Sequence, residues 1–324
     1  MIAVFNYLSS LTPQKTVIEP IFGKIGKTIT QVKIDYPGQL NLTLDTIEGT
    51  PVTASQTARV YYLPPKTPQF GYREKIIFSA KEVGFKTEII KYSMQDNIAS
   101  FVDAKQSLNI DVDNYNFNYK YNFENDSQIF KDSKIAQRNV VENRVKVDAV
   151  TFIDKIKKFP EELALGKERI IYLDYNVAKK EFNVVKRKED ANAIEIDFYR
   201  ADIDGTGTIP PKYYNSQNYV VLTYSKSELP RIIKAELKYF EKETTKVGVY
   251  PLKTGVQAWD DLKNKNGTII SLGNNSGENI AIKSMKLFYF DPDIYQPYLQ
   301  PVYVFVGENG FVAYVEAVSS SYIE

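Results

Sequence analysis

Apolar and polar residues alternate along much of this chain with the two-residue period of a strand that buries one face. The pattern appears first in Gln31-Val32-Lys33-Ile34-Asp35-Tyr36 and Leu42-Thr43-Leu44-Asp45, and again in Arg59–Leu63, which Pro64 and Pro65 stop. Residues 71–83 change to a helical period, with Ile76, Ile77, Ala80 and Val83 on one face and Gly84 as the stop. The two-residue alternation is clearest at 108–123. There Leu108, Ile110 and Val112 are followed, after a one-residue slip near Asp113, by Tyr115, Phe117, Tyr119, Tyr121 and Phe123. This predicts one bulged strand with its aromatics on a single face and Asn114, Asn116, Asn118, Lys120 and Asn122 between them. Such a row can serve as a carbohydrate or peptide platform, but core packing accounts for it more simply.

A longer helix is predicted over 133–158, where Val141, Val145, Ala149, Phe152, Ile153 and Ile156 form one stripe before Pro160. Strands resume at 169–175, 181–186, 193–199, 219–224 and 232–240. A short helix follows at about 253–264, with Val256, Trp259 and Leu262 inward, and the last strands are 280–290, 302–306 and 311–318. Gly307-Glu308-Asn309-Gly310 marks a hairpin between the last two. The expected fold class is α+β, with antiparallel sheets each packed by one or two helices. The long helix serves as the divide: a stub at 1–17, an N-terminal α+β domain at 18–128, and a C-terminal α+β domain at 129–324, divisible into 129–242 and 243–324.

Composition narrows the chemistry. The 324 residues include 24 Tyr and 18 Phe but one Trp, no His and no Cys. Imidazole catalysis, thiolate nucleophiles, disulfides, zinc sites of the usual kind and iron–sulfur clusters are thereby excluded. A net charge of +1, with only 8 Arg among 41 basic residues, gives no nucleic-acid footprint. Lys186-Arg187-Lys188 runs into Glu189 and Asp190 and reads as a solvated loop.

Asp202-Ile203-Asp204-Gly205-Thr206 resembles the nucleophile loop of haloacid-dehalogenase phosphatases, in which two Asp flank a Mg²⁺ ion. No helix follows it, Pro210 and Pro211 do, and no parallel α/β alternation supplies the remaining parts. A calcium loop starting here would need an acid where Tyr213 stands. An Asp-Gly turn is the expectation, with Asp202 and Asp204 as weak candidates for a cation site. No phosphate loop or nucleophile elbow occurs. The acid pairs Glu161-Glu162 and Asp260-Asp261 are assigned to solvent, and Trp259 to anchoring its helix on a sheet. No catalytic residue, cofactor or assigned metal site is expected.

Two stretches carry a family resemblance. Tyr250-Pro251-Leu252-Lys253, continuing through Ala258-Trp259 and Leu262-Lys263, resembles the helix start of PepSY- and YycI-like extracytoplasmic domains. Tyr295–Phe305, continuing through Gly307 to Phe311–Val315 and Ala317-Val318, resembles their closing hairpin. The whole chain is similar to uncharacterised single-pass membrane proteins of small-genome candidate-phyla bacteria, on Phe22-Gly23-Lys24-Ile25, Leu44–Gly49 and Phe198–Gly205. It departs from them at Gly26-Lys27, where the relatives carry prolines. The resemblance implies a YycI/YycH-like two-part architecture and an extracytoplasmic domain on the cell membrane. It further implies a soluble ectodomain held by an N-terminal membrane helix; the apolar Ile2–Leu8 fits the outer end of such a helix and equally an ordinary first strand or helix. The expected role is non-enzymatic, in binding a protein or envelope component. The alternative is a cation-dependent phosphatase or hydrolase using Asp202 and Asp204.

Overall fold

The computed structural model describes residues 17–324, apart from 33, 35, 37, 39, 127, 132, 134, 136–139, 225–228 and 276–278. Strands β1 (Asn41–Leu44) and β2 (Thr57–Tyr62) precede helix α1 (Tyr72–Glu82). Strands β3 (Ser93–Gln95), β4 (Ile98–Val102), β5 (Gln106–Asp111) and β6 (Phe117–Tyr121) follow as a meander. Three helices come next: α2 (Gln128–Lys131), α3 (Glu142–Asp154) and α4 (Glu161–Ala164). Then come β7 (Glu168–Asn176), β8 (Glu181–Val184), β9 (Ala193–Phe198), β10 (Thr208–Ile209), β11 (Tyr219–Tyr224), β12 (Pro230–Leu237) and β13 (Val247–Pro251). Helix α5 (Gly255–Lys263) leads to β14 (Thr268–Ser271), β15 (Asn279–Phe290), β16 (Tyr298–Leu299), β17 (Pro301–Gly307) and β18 (Val312–Glu316).

The class is α+β with mostly antiparallel sheets, as expected, although β1 and β10 each pair with β15 in parallel. The largest sheet has nine strands in the order β3-β4-β5-β6-β12-β11-β9-β7-β8. A second sheet runs β1-β15-β17-β18-β14, with β10 also on β15, and a small one runs β13-β2-β16.

The expected division at 128/129 does not separate these sheets. Strand β6 before it pairs with β12 after it, Phe117 opposite Leu237, while β1 and β2 pair with β15, β13 and β16 near the other end of the chain. The nine-stranded unit is therefore inserted into one built from both ends of the described chain, except that β10, between β9 and β11, returns to the outer sheet. Strand pairing joins segments far apart in sequence, and a contiguous division could not anticipate that.

Helices α1 and α3 cover one face of the large sheet. Ile76 and Ala80 of the first, and Val145, Ala149, Phe152 and Ile153 of the second, pack with Leu108, Phe117, Ile196 and Leu237. The Phe152 and Tyr119 rings lie 4.9 Å apart. Helix α3 is shorter than predicted: Val141 is extended and 59% exposed, and part of the expected N-terminal turn lies outside the described residues. Helix α5 covers the second sheet through Ala258 and Leu262. Its Thr254 cap accepts from the Gln257 amide while the Gln257 side chain accepts from Thr254 N–H. Val256, expected inward, is exposed, and Trp259 lies half-buried near Phe305.

Two other expectations change. The slip near Asp113 is a complete turn between β5 and β6, with Tyr115 at φ 55°, so the aromatic row is divided. Phe117 and Tyr119 enter the helix-covered core, whereas Phe123 packs with Phe130 and Tyr175 on the opposite side of the sheet. In 31–36, where a strand was predicted, residues 33 and 35 lie outside the described set, and the described positions are not strand. Residues 1–16, with the apolar Ile2–Leu8, also lie outside it.

Candidate functional site

The polar half of the alternation builds the opposite face of the large sheet. Because Leu108 and Ile110, Phe117 and Tyr119, Ala235 and Leu237, and Ile196 and Phe198 turn toward the helices, Asn109, Asn118, Glu236 and Asp197 must turn away from them. Strand register sets these positions side by side. Ser93, Ser100, Asn109, Asn118, Glu236, Tyr219, Asp197 and Arg169 are successive partners across eight neighbouring strands. All eight are polar. At the usual strand spacing the row runs about 34 Å.

At the β7–β9–β11 end the row is acidic and internally paired. Asp197 is fully buried, and its Oδ2 accepts from Arg169 Nη2 at 2.8 Å and from Tyr199 Oη at 3.1 Å. Its Oδ1 is buried without a hydrogen-bond donor. Glu195 lies two residues away on the same strand face. Burial first, and then the neighbouring Asp197 carboxylate, pushes Glu195 up to about 7, and burial raises Asp197 as well. Two carboxyls in one poorly solvated place hold a proton toward neutrality, because ionising both would set like charges together without water. Burial likewise raises the hydroxyls of Tyr199 and Tyr219. This end can present a carboxylic acid as a hydrogen-bond donor near pH 7.

At the β3–β6 end the face holds a depression of about 380 Å³, floored by Ser100, Asn109 and Asn118 and bordered by Asp111, Asn116 and Lys238.

The expected Asp pair is not brought to a common centre. Asp204 and Gly205 form the tip of a tight turn, at φ 51° and 74°, closed by a bridge between Ile203 and Thr206. Asp204 accepts from Arg59 Nη1 at 3.0 Å, Tyr61 Oη at 2.7 Å and Tyr289 Oη at 3.4 Å. Asp202, half-exposed, lies 4.0 Å from Lys167 Nζ. No group of three or more acids that could hold a metal occurs among the described residues. The acids assigned to solvent also need correction. Glu162 accepts from Arg200, Tyr239 and Lys242, and Asp261 pairs with Lys253 at 2.8 Å.

Sequence reasoning missed Glu195, Asp197 and Arg169. The available signal was Ile194-Glu195-Ile196-Asp197-Phe198, where two acids share the face opposite three buried apolar residues in the middle of a strand.

No family model matches the chain, and no curated protein matches it. Among solved structures it is similar to the crystal structure of an uncharacterised protein from Eubacterium rectale. The identity is 12%, the TM-score is 0.35, and the match covers 98% of this chain and 97% of that one. So distant a likeness carries nothing about function.

Proposed function

We propose that this chain is a non-enzymatic binding domain that engages an envelope component through the open face of its nine-stranded sheet. The two ends of the polar row from Ser93 to Arg169 carry this reading. A solvated antiparallel face is polar by alternation alone, so the reading rests on what this face adds to that. This one adds a depression at one end and, at the other, the Glu195 and Asp197 carboxyls that share a proton. In keeping with the resemblance to PepSY- and YycI-like proteins, the proposal places the domain outside the cell membrane in a YycI/YycH-like arrangement. No helix among the described residues is long and apolar enough to cross a membrane.

The test is capture from solubilised cell envelopes by immobilised protein. Asn118→Arg puts a long charged side chain in the middle of the row without touching the helix-covered core. Capture should fall at least tenfold, with the melting temperature within about 2 °C of the parent, as expected for a surface change. Equal capture by both proteins would remove the open face from the proposal. The phosphatase alternative makes the opposite prediction: phosphate-ester turnover that requires Mg²⁺ and disappears in Asp202→Asn. No such turnover is expected from two acids that share no centre.

A further inference from the structure

We propose that the depression at the β3–β6 end of the open face is a subsite for an uncharged, hydroxyl-rich ligand, a saccharide unit. This deepens the binding role proposed above and rests on it.

Unused hydrogen-bonding capacity is the starting observation. The side chains of Ser100, Asn109 and Asn118 are half-buried and make no hydrogen bond to another described residue. Asn116 is 2% exposed, and its Nδ2 has no partner. The orientation of that amide is fixed by what holds its other end. Oδ1 accepts from the backbone N–H of Tyr239 at 3.1 Å and from Lys157 Nζ at 3.1 Å. A backbone N–H can only donate, so the oxygen must face it, and the NH₂ group of this pocket-lining residue is left without a protein acceptor. A buried donor with no acceptor costs about 1–3 kcal/mol, and this one lies in the wall of the depression.

The chemistry of the ligand follows from these groups. The Asn109 and Asn118 amides and the Ser100 hydroxyl can each donate and accept, and adjacent sugar hydroxyls do the same. A strongly charged ligand finds little to match it. The lining carries both signs, Asp96 and Asp111 with Lys238, and Asp111 already accepts from Asp113 N–H and from Asn114 Nδ2. The volume lies within the usual range of small-ligand sites, about 300–1,000 Å³. The sequence makes the same point from the other direction. The aromatics of this alternation went to the core, and the asparagines between them were left to line the surface.

Saturation-transfer NMR tests this on the full chain with glucose, N-acetylglucosamine, and their disaccharides at millimolar concentration. At least one is expected to receive magnetisation. Its affinity should drop about tenfold or more in Asn109→Leu and in Asn118→Leu, the loss of about 1.4 kcal/mol that one or two hydrogen bonds supply. Asp202→Asn, remote from the depression, should bind as the parent does. No transfer to any of these sugars overturns the proposal, as does binding that neither leucine variant weakens. Transfer instead to an uncharged acetylated tripeptide would assign the depression to extended peptide. The two readings fail separately. If Asn118→Arg abolishes envelope capture but no sugar binds, only the saccharide is wrong. If sugars bind here while capture is indifferent to Asn118→Arg, only the envelope role is wrong.

Discussion

Arg200→Ala is expected to lower the unfolding free energy by about 3–5 kcal/mol, read as a shift of the urea midpoint. The Arg200 side chain is completely buried, and its planar fork is shared among three acceptors. Nε donates to Asp291 Oδ1 at 2.8 Å, Nη1 to Glu162 Oε2 at 2.5 Å, and Nη2 to the Phe240 carbonyl at 2.7 Å. The guanidinium also lies 4.4 Å from the centre of the Tyr239 ring. These partners come from α4, from the chain after β12 and from the chain after β15, so one side chain ties the inserted sheet to the unit that carries it. Removing it strands Asp291, itself nearly dry and held otherwise by Gln217 Nε2 at 2.9 Å. Arg200→Lys should recover little, since an ammonium cannot reproduce three bonds in one plane. A loss below about 1 kcal/mol for the alanine variant would show that the junction is held by apolar packing alone.

Glu195 should make stability fall as pH rises from about 5 to about 7, a contribution that Glu195→Gln should remove. The folded value of Glu195 is raised above its unfolded one, so the native state binds more protons than the unfolded chain between the two. The stabilisation from that retained proton is fully present below the unfolded value near 4.5 and is lost as pH passes about 7. Because part of Glu195 still reaches solvent, the expected loss is about 2 kcal/mol rather than the full amount implied by such a shift. Glutamine keeps a donor facing Asp197 and carries no charge, so at pH 8 the variant should be the more stable protein. The groups facing the pair are Arg169 from β7, Tyr219 from β11, Tyr199 beyond β9, and Lys234 and Glu236 from β12. Thermal melts of the parent and of Glu195→Gln at fixed ionic strength from pH 5 to 7 decide it, and a difference between the two that does not fall with pH would refute the shared-proton description.

Much of the secondary structure was legible because it is local. β11 was predicted at Tyr219–Tyr224 and lies there, and the stripe of α3 buries Val145, Ala149, Phe152 and Ile153 as its period required. What failed was pairing. Nothing local distinguishes a strand that continues through a bulge from two strands about a turn, and the 108–123 segment was resolved only by Tyr115 adopting a left-handed backbone. The parallel docking of β1 on β15 joins residues more than two hundred positions apart and leaves no periodic trace. The candidate face was illegible for the same reason. Each of its eight polar residues is the unremarked half of an ordinary alternation, and only the register of seven strand pairs puts them in line. The Asp202–Thr206 motif shows the converse: local spacing suggested chemistry that the surroundings do not complete.

The inserted topology has a mechanical consequence. The first entry to the large sheet and the last exit from it run side by side, with Glu243 N–H donating to the Tyr62 carbonyl and Tyr62 N–H to that of Lys246. The outer segments meet as well: Ile25 bridges Ile323, and Glu324 N–H donates to the Ile25 carbonyl. Tension applied between residue 25 and the C-terminus would thus be borne by that closing ladder, bypassing the inserted sheet. The open face would keep its shape under load until the clasp around Ile25 gave way.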